Sequence, residues 1–106
     1  MAAEQEEMSV WSDWLDFDRA GVEQVPEKPG VYLMHASMKV MHIGGSDNMR
    51  QALLDLLADP CAGKARRFHY MPTESYAQVR EQMLKEYADK HGGKLPSCME
   101  GEEDRK

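Results

Sequence analysis

Two thiols, several imidazoles and a cluster of cations are the groups in this chain whose chemistry could be put to work. Cys61 and Cys98, taken with His69 and His91, supply the atoms that zinc prefers, but their spacing contains neither a CxxC nor an HxxxH pair. The cysteines are therefore expected as free thiols, the usual state inside a cell. Over residues 61–95, Lys64, Arg66, Arg67, Arg80, Lys85, Lys90 and Lys94 face Glu74, Glu81, Glu86 and Asp89, a local surplus of +3. That surplus permits a phosphate contact without the charge density of a dedicated nucleic-acid binder. His42 stands two residues ahead of the pair Gly44-Gly45, at the end of GVYLMHASMKVMHIGG, residues 30–45. The question is whether this stretch is a plain hairpin or the floor of a catalytic site.

The elements that would position these groups are legible in the pattern. Val31 to His35 alternate as a strand, ASM (36–38) is a short connection, and KVMHIG (39–44) is a second strand, so the pair is expected as a β-hairpin. Strand alternation puts Val40, His42 and Gly44 on one face and Met41 and Ile43 on the other. A helix is expected over 47–58, capped by Ser46 or Asp47, with Met49, Leu53, Leu56 and Leu57 on its apolar side. Pro60 and Gly63 break it, RRFHYM (66–71) forms a third strand, and Pro72 stops that strand. Thr73 is expected to cap a final helix over 74–91 with the stripe Tyr76, Val79, Met83, Leu84, Tyr87 and Ala88; Gly92 suits the left-handed position after it. Ahead of the hairpin, WSDWLDF (11–17) carries Trp11, Trp14, Leu15 and Phe17, expected to clamp onto the core as a short strand or helical turn. A helical turn is expected to follow Asp16 or Asp18. The order strand, strand, helix, strand, helix is that of a small α+β domain: a three-stranded antiparallel sheet with flanking helices.

The 106 residues suit one domain, expected over 11–98 between two charged, disordered tails, 1–10 and 99–106. Residues 1–7 carry −3 and residues 100–106 carry −2, so −5 of the net −6 lies near the ends and the body is close to neutral. No apolar run approaches the ~20 residues of a membrane span. The chain is expected inside the cell, cytoplasm and nucleus not being distinguished. Most of its nine methionines are expected as core filler.

At the strand ends the letters become more specific. PGVY (29–32) begins the first strand, HIG (42–44) ends the second, and NMR (48–50) opens the helix. Gly30, Val31, Tyr32, His42, Ile43, Gly44, Asn48 and Arg50 thus resemble, in order, the PGVY, YIG and NLR pieces of the GIY-YIG nuclease superfamily. The closing helix and the following proline, 80–96, are similar too. More narrowly, the Trp-rich lead-in, VPEKPGVY (25–32) and GKLPSC (93–98) resemble small stand-alone archaeal-type members. The resemblance covers about residues 25–98.

What it implies is a GIY-YIG-like fold and hydrolysis of a DNA phosphodiester with Mg2+ or Mn2+, by two tyrosines, a helix arginine, a glutamate and often a lysine. Carried over, the first tyrosine is Tyr32. The second falls on His42, whose imidazole, with an unperturbed pKa of ~6.5, can also act as a base. The lysine falls on Gly45 and the arginine on Ala52; Arg50, two residues earlier, lies about 200° around the helix. The glutamate falls on Arg80, in the middle of the apolar stripe, while Glu81 is turned about 100° away. A guanidinium on the sheet side would repel a divalent cation, which takes oxygen ligands. Loss of one transition-state stabiliser costs on the order of 10²–10³ in rate. The expectation is therefore a degenerate site: a module that binds nucleic acid, through Arg50, Arg66, Arg67 and Arg80, or a protein, with no cofactor. The alternatives are a divergent metal-dependent endonuclease using Tyr32, His42 and Glu81, and a protein-interaction domain using Trp11, Trp14 and Phe17.

Overall fold

The structure, a computed structural model, describes residues 11–36 and 39–99. The expected tail 1–10, residues 37–38 of the expected connection 36–38, and residues 100–106 of the expected second tail lie outside the described residues. In chain order the elements are β1 (Leu15–Asp16), α1 (Arg19–Val22), β2 (Gly30–Ala36), β3 (Lys39–Ser46), α2 (Met49–Leu57), a 3-10 turn (Ala62–Lys64), β4 (Arg67–Pro72) and α3 (Tyr76–Lys90). They form an α+β domain with one four-stranded antiparallel sheet, ordered β1-β4-β2-β3, and flanking helices. Among the described residues no helix is long and apolar enough to cross a membrane.

The sheet has four strands where three were expected. The fourth is the Trp-rich lead-in, which runs along β4. The Ser12 amide donates to the Tyr70 carbonyl (2.8 Å), Leu15 pairs with Phe68, and the Phe17 amide donates to the Arg66 carbonyl (2.9 Å). With two residues in regular pairing it is too short to leave a period in the sequence. The hairpin differs in a second way. Met34 pairs with His42 but His35 pairs with Val40, so Met41 is an extra residue. This bulge resets the alternation: Val40 leaves the face of His42, and Met41 packs against the core instead.

Both faces of the sheet are covered. One carries Tyr32, Met34 and Phe68 into a core shared with Phe17, Val22, Met49 and Leu53. The other carries Val31, Ile43 and Met71, all buried, under α3. No residue of α3 itself is buried, and its half-buried side is the expected stripe with Arg80 in it. Asp18, Asn48 and Ser75 stand at the helix N-caps, the first two accepting from Gly21 and Gln51 amides. Ser46 and Thr73, expected as caps, instead accept the amides of Asn48 and Ser75 just ahead of the helices. Gly92 takes φ +67 after α3, as expected.

Cys61 and Cys98 are joined in a disulfide, not left as free thiols; their Cα atoms are 5.7 Å apart across 37 residues of sequence. The bond fastens the C-terminal segment, with Pro96, Cys98 and Met99 buried, to the loop that follows α2. Met99, placed by sequence at the head of a disordered tail, therefore belongs to the packed domain.

The tryptophans do not enter the main core. They enclose His69, with Trp14 3.9 Å from it at 8° and Trp11 4.2 Å at 23°. His35 meets the edge of Trp14 at 4.4 Å. Burial, with His35 second, lowers the His69 pKa to about 4. The unfolded chain takes up the proton near 6.5, so the stability this site contributes is present above pH 6.5 and is lost as pH falls toward 4. Allowing for solvent screening at the open edge of the ring, the loss is expected to be about 1–2 kcal/mol. Urea midpoints measured across that window should fall for the native protein and much less for His69→Phe. If cation–π attraction by the two indoles prevailed, an NMR titration would place the His69 pKa above 6.5.

Candidate functional site

The glycine pair that ends β3 serves the two faces of the sheet separately. Gly44 lies across from Tyr32, and a Cβ added there would sit 2.6 Å from ring atoms Cε1 and Cζ and from Oη of Tyr32. The missing side chain is thus what lets the phenol lie flat over the edge strand. Gly45 points the other way: a Cβ there would meet the Tyr76 carbonyl at 3.2 Å and Arg80 Cβ at 3.5 Å. The second glycine lets α3 approach the sheet closely with Arg80 on its inner side. Replacing Gly44 by Ala should cost about 1–3 kcal/mol, because the 5 % exposed Tyr32 ring has little room to retreat. Gly45→Ala, where the helix needs to give only slightly, should cost less. Chemical denaturation of the two variants checks the order.

Between these contacts, at the free edge of β3, opens a cleft of about 390 Å³. Tyr32 and His42 line it from the sheet, Tyr76, Ala77, Arg80 and Glu81 from α3. The Tyr32 and His42 rings are nearly parallel, 6.2 Å apart. Burial raises the Tyr32 pKa against the opposing pull of the Arg80 charge, with Asp55 adding to the rise. The phenol therefore stays protonated at neutral pH and is available to donate a hydrogen bond. Among the described residues no carboxylate forms an ion pair with Arg80, although it is half-buried. Neither Asp47 nor Asp55 neutralises it. His42 is also felt by Asp59, whose carboxyl is held below its usual range chiefly by the amides of Ala62 and Cys61, both donating to Oδ1 (2.9 and 2.8 Å).

Of the expected site residues, Tyr32, His42, Arg80 and Glu81 come together; the cations proposed to join Arg80 do not. Arg50 is turned under the loop before β2, its Nε donating to the Val25 carbonyl (2.8 Å) and its guanidinium 3.7 Å from Glu27. Arg67 meets Asp16 (3.5 Å) on β1, at the opposite edge of the sheet from β3. Arg66 is exposed just ahead of β4. The +3 of residues 61–95 is therefore not a patch around the cleft, where Arg80 is the one Lys or Arg among the described lining residues. Tyr76 was not singled out as a site residue. Its signal was the spacing of four to Arg80, which puts both on one helix face.

Neither set of groups with metal-binding chemistry makes a metal site among the described residues. The zinc set is dispersed: both sulfurs are in the disulfide, His69 lies between indoles, and His91 stacks on Tyr87 at 3.9 Å. For Mg2+ or Mn2+ the cleft offers the Glu81 carboxylate beside the Arg80 guanidinium. Among the described residues no three His, Cys, Asp or Glu side chains gather. One exposed acid next to a fixed positive charge does not fit a hard cation that takes oxygen ligands.

The family model described as Domain of unknown function (DUF7508) matches residues 8–90. No curated protein and no solved structure matches the chain.

Proposed function

We propose that this chain, which belongs to the family Domain of unknown function (DUF7508), is a GIY-YIG-like module that has lost the standard nuclease chemistry and holds a phosphate of a nucleic-acid ligand in the cleft at the edge of β3. The observation that carries this reading is Arg80: a half-buried guanidinium without a carboxylate ion-pair partner among the described residues, lining the same cleft as the Tyr32 phenol and close enough for its charge to act on that phenol. Such a charge finds its best complement in an anion with several oxygens. The PGVY, HIG and NMR pieces support the GIY-YIG-like origin, since their residues build β2, β3 and the start of α2. Glu81 lining the same cleft is the observation that favours a hydrolase, and the poor fit of the donor set to a divalent cation weighs against it. A protein-binding surface at the N-terminal aromatics has less support, because Phe17 is buried and both tryptophans already stack on His69.

Fluorescence-anisotropy titrations with single-stranded, duplex and branched DNA at low salt test the reading. Binding that weakens as salt rises is expected. No change in anisotropy with any of these probes would discard it. Magnesium-dependent cleavage that disappears in Glu81→Ala would replace it with the hydrolase.

A further inference from the structure

We infer that the cleft receives the phosphorylated end of a nucleic-acid strand, a phosphomonoester, rather than a run of backbone phosphates. This rests on the phosphate reading above and narrows it.

The surroundings of Arg80 argue for a single anionic group. Among the described residues Arg80 is the one Lys or Arg that lines the cleft, and carboxylates stand around it: Glu81 at the rim, Asp55 close enough to raise the Tyr32 pKa, and Asp59 close enough to feel the His42 ring. A strand leaving Arg80 along the outer side of α3 would next meet Glu81, Glu86 and Asp89 with Lys85 as the one cation among them. A strand leaving across the sheet would have to pass β2 to reach β4, about 10 Å away at the usual strand spacing. There Arg67 is already paired with Asp16. Duplex DNA carries a negative charge every ~1.7 Å of its axis, so a long backbone meets more repulsion here than attraction.

A terminal phosphate reverses that balance. It concentrates about −1.5 to −2 charge at neutral pH and three acceptor oxygens at one point. The guanidinium fork can serve two of those oxygens and the Tyr32 phenol the third. The volume, about 390 Å³, is at the small end of the ~300–1,000 Å³ of ordinary ligand pockets. Tyr76, one helical turn ahead of Arg80 and in the same cleft, supplies a ring on which the last base can stack.

The test uses the full chain and one short single-stranded oligonucleotide made in three forms, with a 5′-phosphate, a 3′-phosphate or neither, plus inorganic phosphate as competitor. At least one phosphorylated form should bind tenfold or more tightly than the unphosphorylated one, with a salt slope near that of one or two phosphates. That preference should collapse in Arg80→Gln and shrink in Tyr32→Phe, two variants chosen to keep the fold. Equal binding of all three forms would overturn the inference while leaving the phosphate reading in place. Absence of binding to any form would overturn both. Inorganic phosphate competing as well as the phosphorylated strand, mole for mole, would also overturn it, since the strand would then add nothing.

Discussion

Reducing the Cys61–Cys98 disulfide should lower the unfolding free energy by about 2–4 kcal/mol, the largest stability change available to a single bond in this chain. The cross-link spans 37 residues, from the loop after α2 to the C-terminal segment. It removes that much freedom from the unfolded ensemble while the native geometry stays in place. Beyond it the segment is held by burial of Pro96 and Met99 and by a long hydrogen bond from Ser97 to the Val40 carbonyl, 3.5 Å. At the size of this domain the loss corresponds to a fall in Tm of roughly 10–25 °C. Thermal unfolding with and without dithiothreitol measures it, with Cys61→Ser/Cys98→Ser as the control that reductant should not change. An unchanged Tm on reduction would show that the bond closes no constraint that matters. The loop it anchors also carries Asp59, whose carboxyl feels the charge of His42, so reduction should alter the cleft as well as the stability.

Removing the guanidinium of Arg80 should weaken binding of a phosphorylated ligand by about 10–100-fold, the equivalent of roughly 1.5–3 kcal/mol for a charge-assisted contact. Arg80→Lys should recover only part of this, since an ammonium cannot offer two parallel donors. Stability should change by well under 1 kcal/mol, because no ion pair is broken among the described residues and the helix keeps a good helix former in Arg80→Gln. The contrast with Gly44→Ala is informative. There the fold suffers first and binding follows, because the phenol is displaced from the edge of β3. In Arg80→Gln, binding should fall while the fold remains.

How much of this was readable beforehand depends on how local the cause was. The 3.6-residue period of the last helix placed Arg80, not Glu81, on the inner side, and the structure sets Arg80 Cβ over Gly45 while Glu81 is exposed at the rim. Strand alternation along β2, the helix breakers and the left-handed Gly92 are local rules, and they held. Long-range causes were not readable. The lead-in was expected as a short strand or a helical turn, and pairing with β4, which sequence does not encode, decided for the strand. The cysteines met because two loops converge, which spacing along the chain does not encode. Val40 moved off the His42 face because of a bulge at Met41 that no letter announces. Arg50 matched a motif letter, yet the nearby Val25 carbonyl and Glu27 took its donors. Summed charge says nothing of placement: Arg67 of β4 pairs with Asp16, and Lys85 lies on the outer side of α3.

We propose Arg80 as the cation of a phosphate site. The most direct measurement is the arginine side-chain 1H–15N spectrum during titration with a 5′- or 3′-phosphorylated oligonucleotide. The Arg80 Nε resonance should shift together with the Gly44 and Gly45 amides and the Tyr32 ring. Shifts confined to Arg66 and Arg67, with Arg80 and the glycine pair unmoved, would contradict it.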